Sequence, residues 1–202
     1  MWVGTFSKGL KIVDTNTGNI LQSYQKNASP RSLIDNSIFA ICRTTTGDIY
    51  LGTMFGLLRY NEQTDDFDRI EELAGRFVYD IKEDSGGNLW LATYVNGAYC
   101  YNVNEKKWKN YVHNESNKES LPYDIVLSMF EDSHRQFWVT SQGGGFCLVH
   151  PDTETFTSYN SSNGLPNDVI YQIVEDAEGL FWLTTNSGLV RFNPETKQVK
   201  GY

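Results

Sequence analysis

Apolar and polar positions follow one arrangement that returns at intervals of 40 to 48 residues along the chain. An almost wholly apolar run, such as 169–174, leads into a turn rich in Asp and Gly. A second apolar run then carries a Trp and a Thr, and two shorter runs follow after Gly and Asn-Pro turns. Runs with both faces apolar are typical of strands buried on both sides. Each repeat therefore predicts four short strands.

Five bulky aromatic residues occupy the same point in successive copies of this arrangement: Trp2, Tyr50, Trp90, Trp138 and Trp182. Three residues after each of them stands a hydroxyl side chain: Thr5, Thr53, Thr93, Ser141 and Thr185. No segment of useful length has the helical period. Four-stranded repeats of this length are typical of β-propeller blades, in which each blade buries its faces against its neighbours.

We therefore predict an all-β chain of β-propeller blades, about five four-stranded repeats in one region over 1–202. The first blade lacks its innermost strand, so the pattern predicts three strands followed by four blades of four, or 19. The approximate blades are 1–25 (partial), 37–72, 76–112, 124–160 and 168–202. Because Met1 is followed at once by strand sequence and unpaired edges invite pairing, we expect an incomplete propeller or a fragment. Its edges would be covered by the remaining blades or a second copy.

Composition and charge exclude some classes of binding partner. The net charge of -8, from 25 acidic and 17 basic side chains, argues against a nucleic-acid partner, which needs a basic face. No apolar run approaches the roughly 18 residues of a membrane span, and no signal peptide opens the chain, so we expect no direct membrane insertion. The cysteines, at 42, 100 and 147, have no metal-ligand spacing and are interpreted as small apolar fillers of strands.

The run from Gly164 to Pro194, GLPNDVIYQIVEDAEGLFWLTTNSGLVRFNP, resembles the two-component regulator propeller repeat. The segments 121–138 and 83–93 carry the same Glu-Asp and Trp positions. The second blade departs from this pattern, with Arg43 and Thr44 in place of Glu-Asp and Tyr50 in place of Trp. The resemblance implies the extracellular sensor region of bacterial hybrid two-component sensor histidine kinases, in which such propellers sense ligands that are often carbohydrates.

The resemblance thus implies a ligand-sensing propeller fragment that binds an extracellular ligand, an oligosaccharide or another small molecule, and controls a histidine kinase in the parent protein. In the parent protein, the propeller would lie on the periplasmic or extracellular side of the membrane. The chain itself is expected not to be an enzyme, because it has no kinase domain. A protein-interaction scaffold stays open as an alternative, and a propeller lyase as a further one.

A lyase would need a cluster of histidines on one face. The three histidines, His113, His134 and His150, do not repeat and lack metal-ligand spacing. No nucleophile and base stand at a suggestive spacing, so we predict no catalytic residue, no metal and no cofactor. The Glu-Asp pairs at 83–84, 131–132 and 175–176 recur at one turn of each repeat. We interpret them as turn caps, and the hydroxyl column as satisfying neighbouring backbone groups.

Ligands commonly meet propellers where the loops between strands two and three, and those between successive blades, emerge together; this is an analogy of fold. Here those loops place aromatic rings beside amide and charged groups, which suits sugars. The candidate ligand-binding residues are Tyr94, Asn96, Arg76, Gln142, Tyr123, Phe55 and Asn186. Along the innermost strands, a central channel would be lined by Ala40, Asp80, Ser128 and Gln172. We interpret it as filled by water, with ligand contact as the alternative.

Overall fold

The computed structural model describes all 202 residues and shows an all-β protein of five antiparallel sheets, one with three strands and four with four. Its strands number nineteen, as the repeat pattern predicts. Two short 3-10 helices, Glu71–Leu73 and Ser161–Asn163, lie between sheets. The chain divides into two compact units, 1–83 and 84–202.

The first unit contains two complete sheets and one further strand. In the first sheet each strand pairs with the next along the chain: β1 (Trp2–Gly4), β2 (Leu10–Val13) and β3 (Ile20–Tyr24). The second sheet has the same sequential order: β4 (Ile38–Arg43), β5 (Ile49–Thr53), β6 (Gly56–Asn61) and β7 (Asp66–Ile70). Strand β8 (Val78–Glu83) ends the unit and is the first strand of the third sheet.

The second unit contains the other eleven strands. The rest of the third sheet is β9 (Leu89–Thr93), β10 (Ala98–Asn102) and β11 (Lys107–Tyr111). The fourth sheet is β12 (Val126–Glu131), β13 (Phe137–Ser141), β14 (Phe146–His150) and β15 (Thr155–Tyr159). The fifth sheet is β16 (Ile170–Glu175), β17 (Phe181–Thr185), β18 (Gly188–Phe192) and β19 (Val199–Gly201).

The core lies between the faces of neighbouring sheets. In the first unit it is built around Leu10, Leu51 and Phe67. In the second unit the rings of Trp90 and Phe137 stack with centroids 4.9 Å apart. Trp138 meets Phe181 edge to face at 5.1 Å and is fully buried. Two members of the predicted aromatic column, Trp90 and Trp138, thus lie between sheets, as expected for stacked blades.

The aspartates of the Glu-Asp pairs close the turn between the first two strands of a blade. The Asp132 carboxylate accepts the backbone N–H groups of His134 and Gln136 at 2.9 and 2.8 Å and the Trp138 indole N–H at 2.9 Å. Asp84 and Trp90, and Asp176 and Trp182, repeat the indole contact at 2.8 and 2.7 Å. The capping role predicted for these residues is confirmed, and each Asp also anchors the buried Trp.

The glutamates of the same pairs reach the preceding blade. The Glu83 carboxylate accepts the backbone N–H and the hydroxyl of Thr45 at 2.7 and 2.9 Å in the first unit. In the second unit Glu175 accepts the corresponding groups of Ser133 at 2.8 and 2.7 Å, and Glu131 accepts the Ser85 N–H at 3.0 Å. These residues therefore join the turns of neighbouring blades, a role distinct from the capping predicted for the Glu-Asp pairs.

The hydroxyl column satisfies backbone groups, as predicted. Thr93 donates to the Gly97 carbonyl at 2.6 Å, and Ser141 donates to the Gly145 carbonyl at 2.9 Å. Ser141 also accepts the Gly144 N–H at 2.9 Å. Each hydroxyl thereby holds together the loop between the second and third strands of its blade.

The cysteines form no disulfide. Burial raises the pKa of the Cys100 thiol to about 12, and complete burial also raises the pKa of Cys147. Desolvation disfavours the thiolate, so these two side chains are apolar fillers of strands, as the sequence predicts.

Candidate functional site

Two kinds of loop meet at one side of the sheets. The loop between the second and third strands of one blade is hydrogen-bonded to the loop that leads into the next blade. The Gly97 N–H donates to the Asp124 carbonyl at 2.9 Å, and the Gly145 N–H donates to the Asp168 carbonyl at 2.8 Å. We call this surface of the second unit, made by residues 94–97, 122–125, 142–145, 167–171 and 186–187, the loop face.

Glycine is required where these loops turn. Gly97 and Gly145 have φ values of 72° and 75°, in the left-handed region that favours glycine. A Cβ at either position would lie 2.0 Å from the carbonyl oxygen of Tyr111 or Tyr159. The backbones of these loops are therefore fixed in place. The side chains that precede each glycine project from this rigid frame, which is the loop backbone.

Tyr123 and Gln142, both candidates from the sequence, lie on this frame. The Gln142 side chain is exposed, while its backbone N–H donates to the Ile125 carbonyl at 3.0 Å. The Tyr123 ring lies over Gly143, the next residue after Gln142. Gln142 also forms an isolated antiparallel bridge with Val169, so this loop is held between the entry loops of the fourth and fifth sheets.

Tyr94, Asn96 and Asn186 complete the sequence candidates on the loop face. Tyr94 is exposed and precedes Val95, whose φ of 65° marks a tight turn. The Asn96 carbonyl accepts from the Asn110 amide at 3.0 Å. The exposed Asn186 accepts a hydrogen bond from the Tyr171 hydroxyl at 2.7 Å. This contact uses the Asn186 oxygen and leaves its amide N–H groups as donors for other partners.

Tyr171 was not predicted as a site residue. It lies at a β-bulge, where the register of β16 against β17 shifts between Ile170 and Gln172. The extra residue of a bulge re-aims a side chain, and Tyr171 is 47% exposed. A bulge of this kind has no marked sequence signal, because the apolar run through the strand is unbroken.

Two sequence candidates, Phe55 and Arg76, lie in the first unit. The backbone N–H of Gly75 donates to the Phe55 carbonyl at 2.9 Å, so their loops are neighbours, and both side chains are exposed. The same unit carries four aromatic residues in successive ring contact, which we call the aromatic row: Phe6, Phe39, Phe77 and Tyr79.

Ring centroids along the aromatic row are 5.9 Å apart for Phe6 and Phe39, 4.5 Å for Phe39 and Phe77, and 5.6 Å for Phe77 and Tyr79. Phe6 is 74% exposed. Phe39 stands at a register shift between Ile38 and Ala40, equivalent to that of Tyr171 in the second unit. The row joins residues from three blades, which explains why no single sequence segment revealed it.

The acidic residues of the entry loops have structural partners. Asp124 accepts the His113 N–H at 2.7 Å, and Asp168 accepts the Ser161 N–H and hydroxyl at 2.6 and 2.8 Å.

Four residues were expected to line a central channel. Ser128 bonds the Thr140 hydroxyl at 3.0 Å, Ala40 is buried, and Gln172 is exposed. Asp80 is half-buried and its carboxylate accepts the Ile81 N–H at 2.9 Å.

The histidines have separate surroundings. His113 bonds the Leu121 carbonyl at 2.9 Å, and His150 bonds the Thr157 hydroxyl at 2.8 Å. His134 lies in the turn closed by Asp132. No group of three or more His, Cys, Asp or Glu residues is arranged to hold a metal ion. The arrangement offers rings, amides and backbone groups for binding.

Two segments, 72–95 and 164–187, match the family model described as two component regulator propeller. The predicted resemblance to this repeat is thus confirmed. A curated relative, histidine kinase P4 of Formosa agariphila, is 29% identical over 173 residues, which cover 81% of this chain and 12% of the relative. The chain therefore spans a small part of that protein.

Solved structures show the same fold. The extracellular domain of a hybrid two-component system of B. thetaiotaomicron superimposes with a TM-score of 0.77 at 22% identity, covering 96% of this chain and 26% of that chain. Virginiamycin B lyase of Staphylococcus aureus superimposes with a TM-score of 0.73 at 12% identity, covering 100% of this chain and 65% of that chain. No helix of this structure has the length and apolar character needed to cross a membrane.

Proposed function

We propose that this chain is a ligand-sensing propeller segment of a two-component sensor, and that its loop face binds an extracellular oligosaccharide. In the parent protein this binding would control a histidine kinase from the periplasmic or extracellular side. The proposal follows the repeat family and the solved extracellular domain that shares the fold. It assigns the chain itself a binding role and no catalytic step.

The observation that carries the proposal is the chemistry of the loop face. Tyr123 and Tyr94 are each 40% exposed, and the C–H face of a sugar ring can stack on an accessible aromatic ring. Gln142 supplies an exposed amide that can donate to and accept from hydroxyls, and the exposed Asn186 supplies amide N–H donors. Their loops are fixed by backbone hydrogen bonds, and such preorganisation reduces the entropic cost of binding.

A thermal-shift screen tests this proposal. The purified chain is melted with cello-, xylo-, laminari- and malto-oligosaccharides, each in excess. A ligand at 100 times its Kd stabilises the folded state by about 2.7 kcal/mol, which gives a readable rise in Tm. We expect one series to raise Tm, and Asn186→Ala to reduce that rise. The control is Asn104→Ala, in the exposed turn that follows β10, at the end of that strand opposite to loop 94–97. No rise with any series would count against the oligosaccharide.

A protein-interaction scaffold is the second candidate, and the aromatic row favours it. Exposed clusters of apolar side chains mark interaction surfaces more often than ordinary solvated ones, and Phe6 and Tyr79 are 74% and 38% exposed. The measurement that separates the two candidates is the mass in solution by light scattering without detergent. A stable oligomer lost in Phe6→Ser would favour the scaffold, and a monomer that binds oligosaccharide would favour the sensor.

Further blades or a second copy are the proposed partners of the last sheet. The side of the fourth sheet that carries Phe130 and Trp138 packs against Phe181 of the fifth. The equivalent positions of the fifth sheet are Val174 and Trp182, of which Val174 is 57% exposed. A lyase activity has less support, because the three histidines are dispersed and bonded differently.

A further inference from the structure

Tyr123 is held flat on the backbone of the loop that follows β13. An ideal Cβ built at Gly143 would lie 3.0, 3.1 and 3.2 Å from Cζ, Cε2 and Cε1 of the Tyr123 ring. Three ring atoms at nearly equal distance show that the ring covers this position with one face. The residue is nevertheless 40% exposed, so a large part of its surface remains open to solvent.

Gly143 is not demanded by its own backbone. The glycines with positive φ include Gly145 of the same loop but neither Gly143 nor Gly144. A left-handed φ is therefore not the reason for glycine at position 143. The three atoms nearest to a Cβ there all belong to the Tyr123 ring, which would have to shift by a few tenths of an ångström to admit a side chain.

At the neighbouring Gly144, a side chain would meet backbone atoms and not an aromatic ring. A Cβ there would lie 2.8 Å from the backbone carbon and oxygen of Pro122, so the loop packs against the chain just before Tyr123. The Gly144 N–H is held by Ser141 and the Gln142 N–H by Ile125, at 2.9 and 3.0 Å. The backbone on both sides of the contact is thus anchored, so a displacement of the ring has to come from the Tyr123 side chain itself.

We infer that Tyr123 is a one-faced stacking platform for a ring of the ligand, that Gln142 is the adjacent hydrogen-bonding group, and that Gly143 is the positioning residue that sets the height of the platform. The inference rests on the proposed function, which it deepens by naming the contact residues. The ligand class is a pyranose, whose C–H face packs on an aromatic ring while its hydroxyls reach an amide.

The position of the ring can be tested without a ligand. A tyrosine ring over Gly143 shifts the Gly143 Hα resonances upfield in the NMR spectrum of the free protein. We expect this shift in the wild type and in Tyr123→Phe, and its loss in Tyr123→Leu. Normal Gly143 Hα positions in the wild type would overturn the positioning role.

Binding of the oligosaccharide series tests the contact. Loss of ring stacking should weaken affinity by about two- to tenfold. We expect that loss in Tyr123→Leu, with affinity restored in Tyr123→Phe. Gly143→Ala should also weaken binding, because its methyl group displaces the ring, while leaving Tm within the scatter of the control. The matched control is Gly201→Ala, where a Cβ meets open space.

Equal affinity in Tyr123→Leu and the wild type would overturn the platform even if an oligosaccharide binds. Absence of binding by all four series, with the upfield shift present, would instead overturn the proposed ligand class and leave the geometry of the ring established. The two failures are therefore distinguishable. Gly144→Ala serves as the contrasting variant, since its clash with Pro122 backbone should lower Tm regardless of ligand.

Discussion

The second blade and the three that follow it close the same turn with different side chains. In the fourth blade Asp132 caps the turn and holds the Trp138 indole. In the second blade Thr44 and Tyr50 stand at these positions. The backbone of the turn is nevertheless alike: Thr44 N–H donates to the Asp48 carbonyl at 2.8 Å, and Asp132 N–H donates to the Gln136 carbonyl at 2.9 Å.

The difference teaches that Asp and Trp act as a pair. A buried indole N–H needs an acceptor, and the Asp carboxylate supplies it while capping the turn. Where the Trp is replaced by Tyr50, the Asp is absent too. The Asp48 carboxylate instead accepts from the Thr46 hydroxyl within the turn at 3.0 Å and pairs with Arg59 of β6 at 2.6 Å. The backbone pattern fixes the turn, and the side-chain pair couples it to the core.

The largest effect should follow from removing the buried ring. Trp138→Ala leaves a cavity between the fourth and fifth sheets, where Trp138 is fully buried. We expect a loss of about 3–5 kcal/mol in the free energy of unfolding, measured by urea denaturation. The corresponding Tyr50→Ala in the second blade removes a half-buried ring and should cost less. Equal losses in Trp138→Ala and Tyr50→Ala would contradict the difference between the two blades.

Removing the acceptor should have the next largest effect. Asp132→Ala leaves the Trp138 indole and two backbone N–H groups without their partner, at a cost of about 1–3 kcal/mol. Asp132→Asn retains an acceptor oxygen and should recover part of this loss. Thr44→Ala is the matched change in the second blade, where no indole depends on the side chain. An Asp132→Ala variant as stable as Thr44→Ala would contradict the pairing.

A transplant tests whether the pair is cooperative. Thr44→Asp and Tyr50→Trp are introduced into the second blade singly and together, and the free energies of unfolding are compared in a double-mutant cycle. Because an Asp and a Trp at these positions would contact each other as in the fourth blade, we expect a favourable coupling of about 0.5–1.5 kcal/mol. Additive single effects would show that the two residues are independent.

The smallest expected effect is the loss of thermal stability at low pH. The hydrogen bond from the Trp182 indole, followed by the Leu180 backbone N–H, lowers the pKa of Asp176. A carboxyl whose pKa is lower in the folded state stabilises the fold above its unfolded pKa, and this stabilisation is lost as pH falls through the folded value. Tm of the wild type should therefore decline on acidification below about pH 4. The Tm of Asp176→Asn should decline less steeply with falling pH. Identical pH profiles of Tm in the two proteins would show that Asp176 does not contribute to the acid dependence.

The candidate site was partly predictable. The loops that carry Tyr123, Gln142 and Asn186 could be found because glycine turns and strand periods place them between the second and third strands or between blades. Tyr171 could not, because an added residue in an apolar strand leaves the pattern of apolar side chains unchanged. The aromatic row could not either, since its contacts join residues 6, 39 and 77 from separate repeats.

The sequence by itself determined the repeat, the strand count, the turns and the residues that cap them. These features depend on local rules: alternation of apolar residues, the conformational freedom of glycine, and carboxylates that bond nearby N–H groups. Only the tertiary structure decided that Glu175 reaches Ser133, 42 residues away, and that Tyr123 covers Gly143. Such contacts depend on how one sheet lies against the next, because a side chain meets a partner from another repeat only after the backbones have packed.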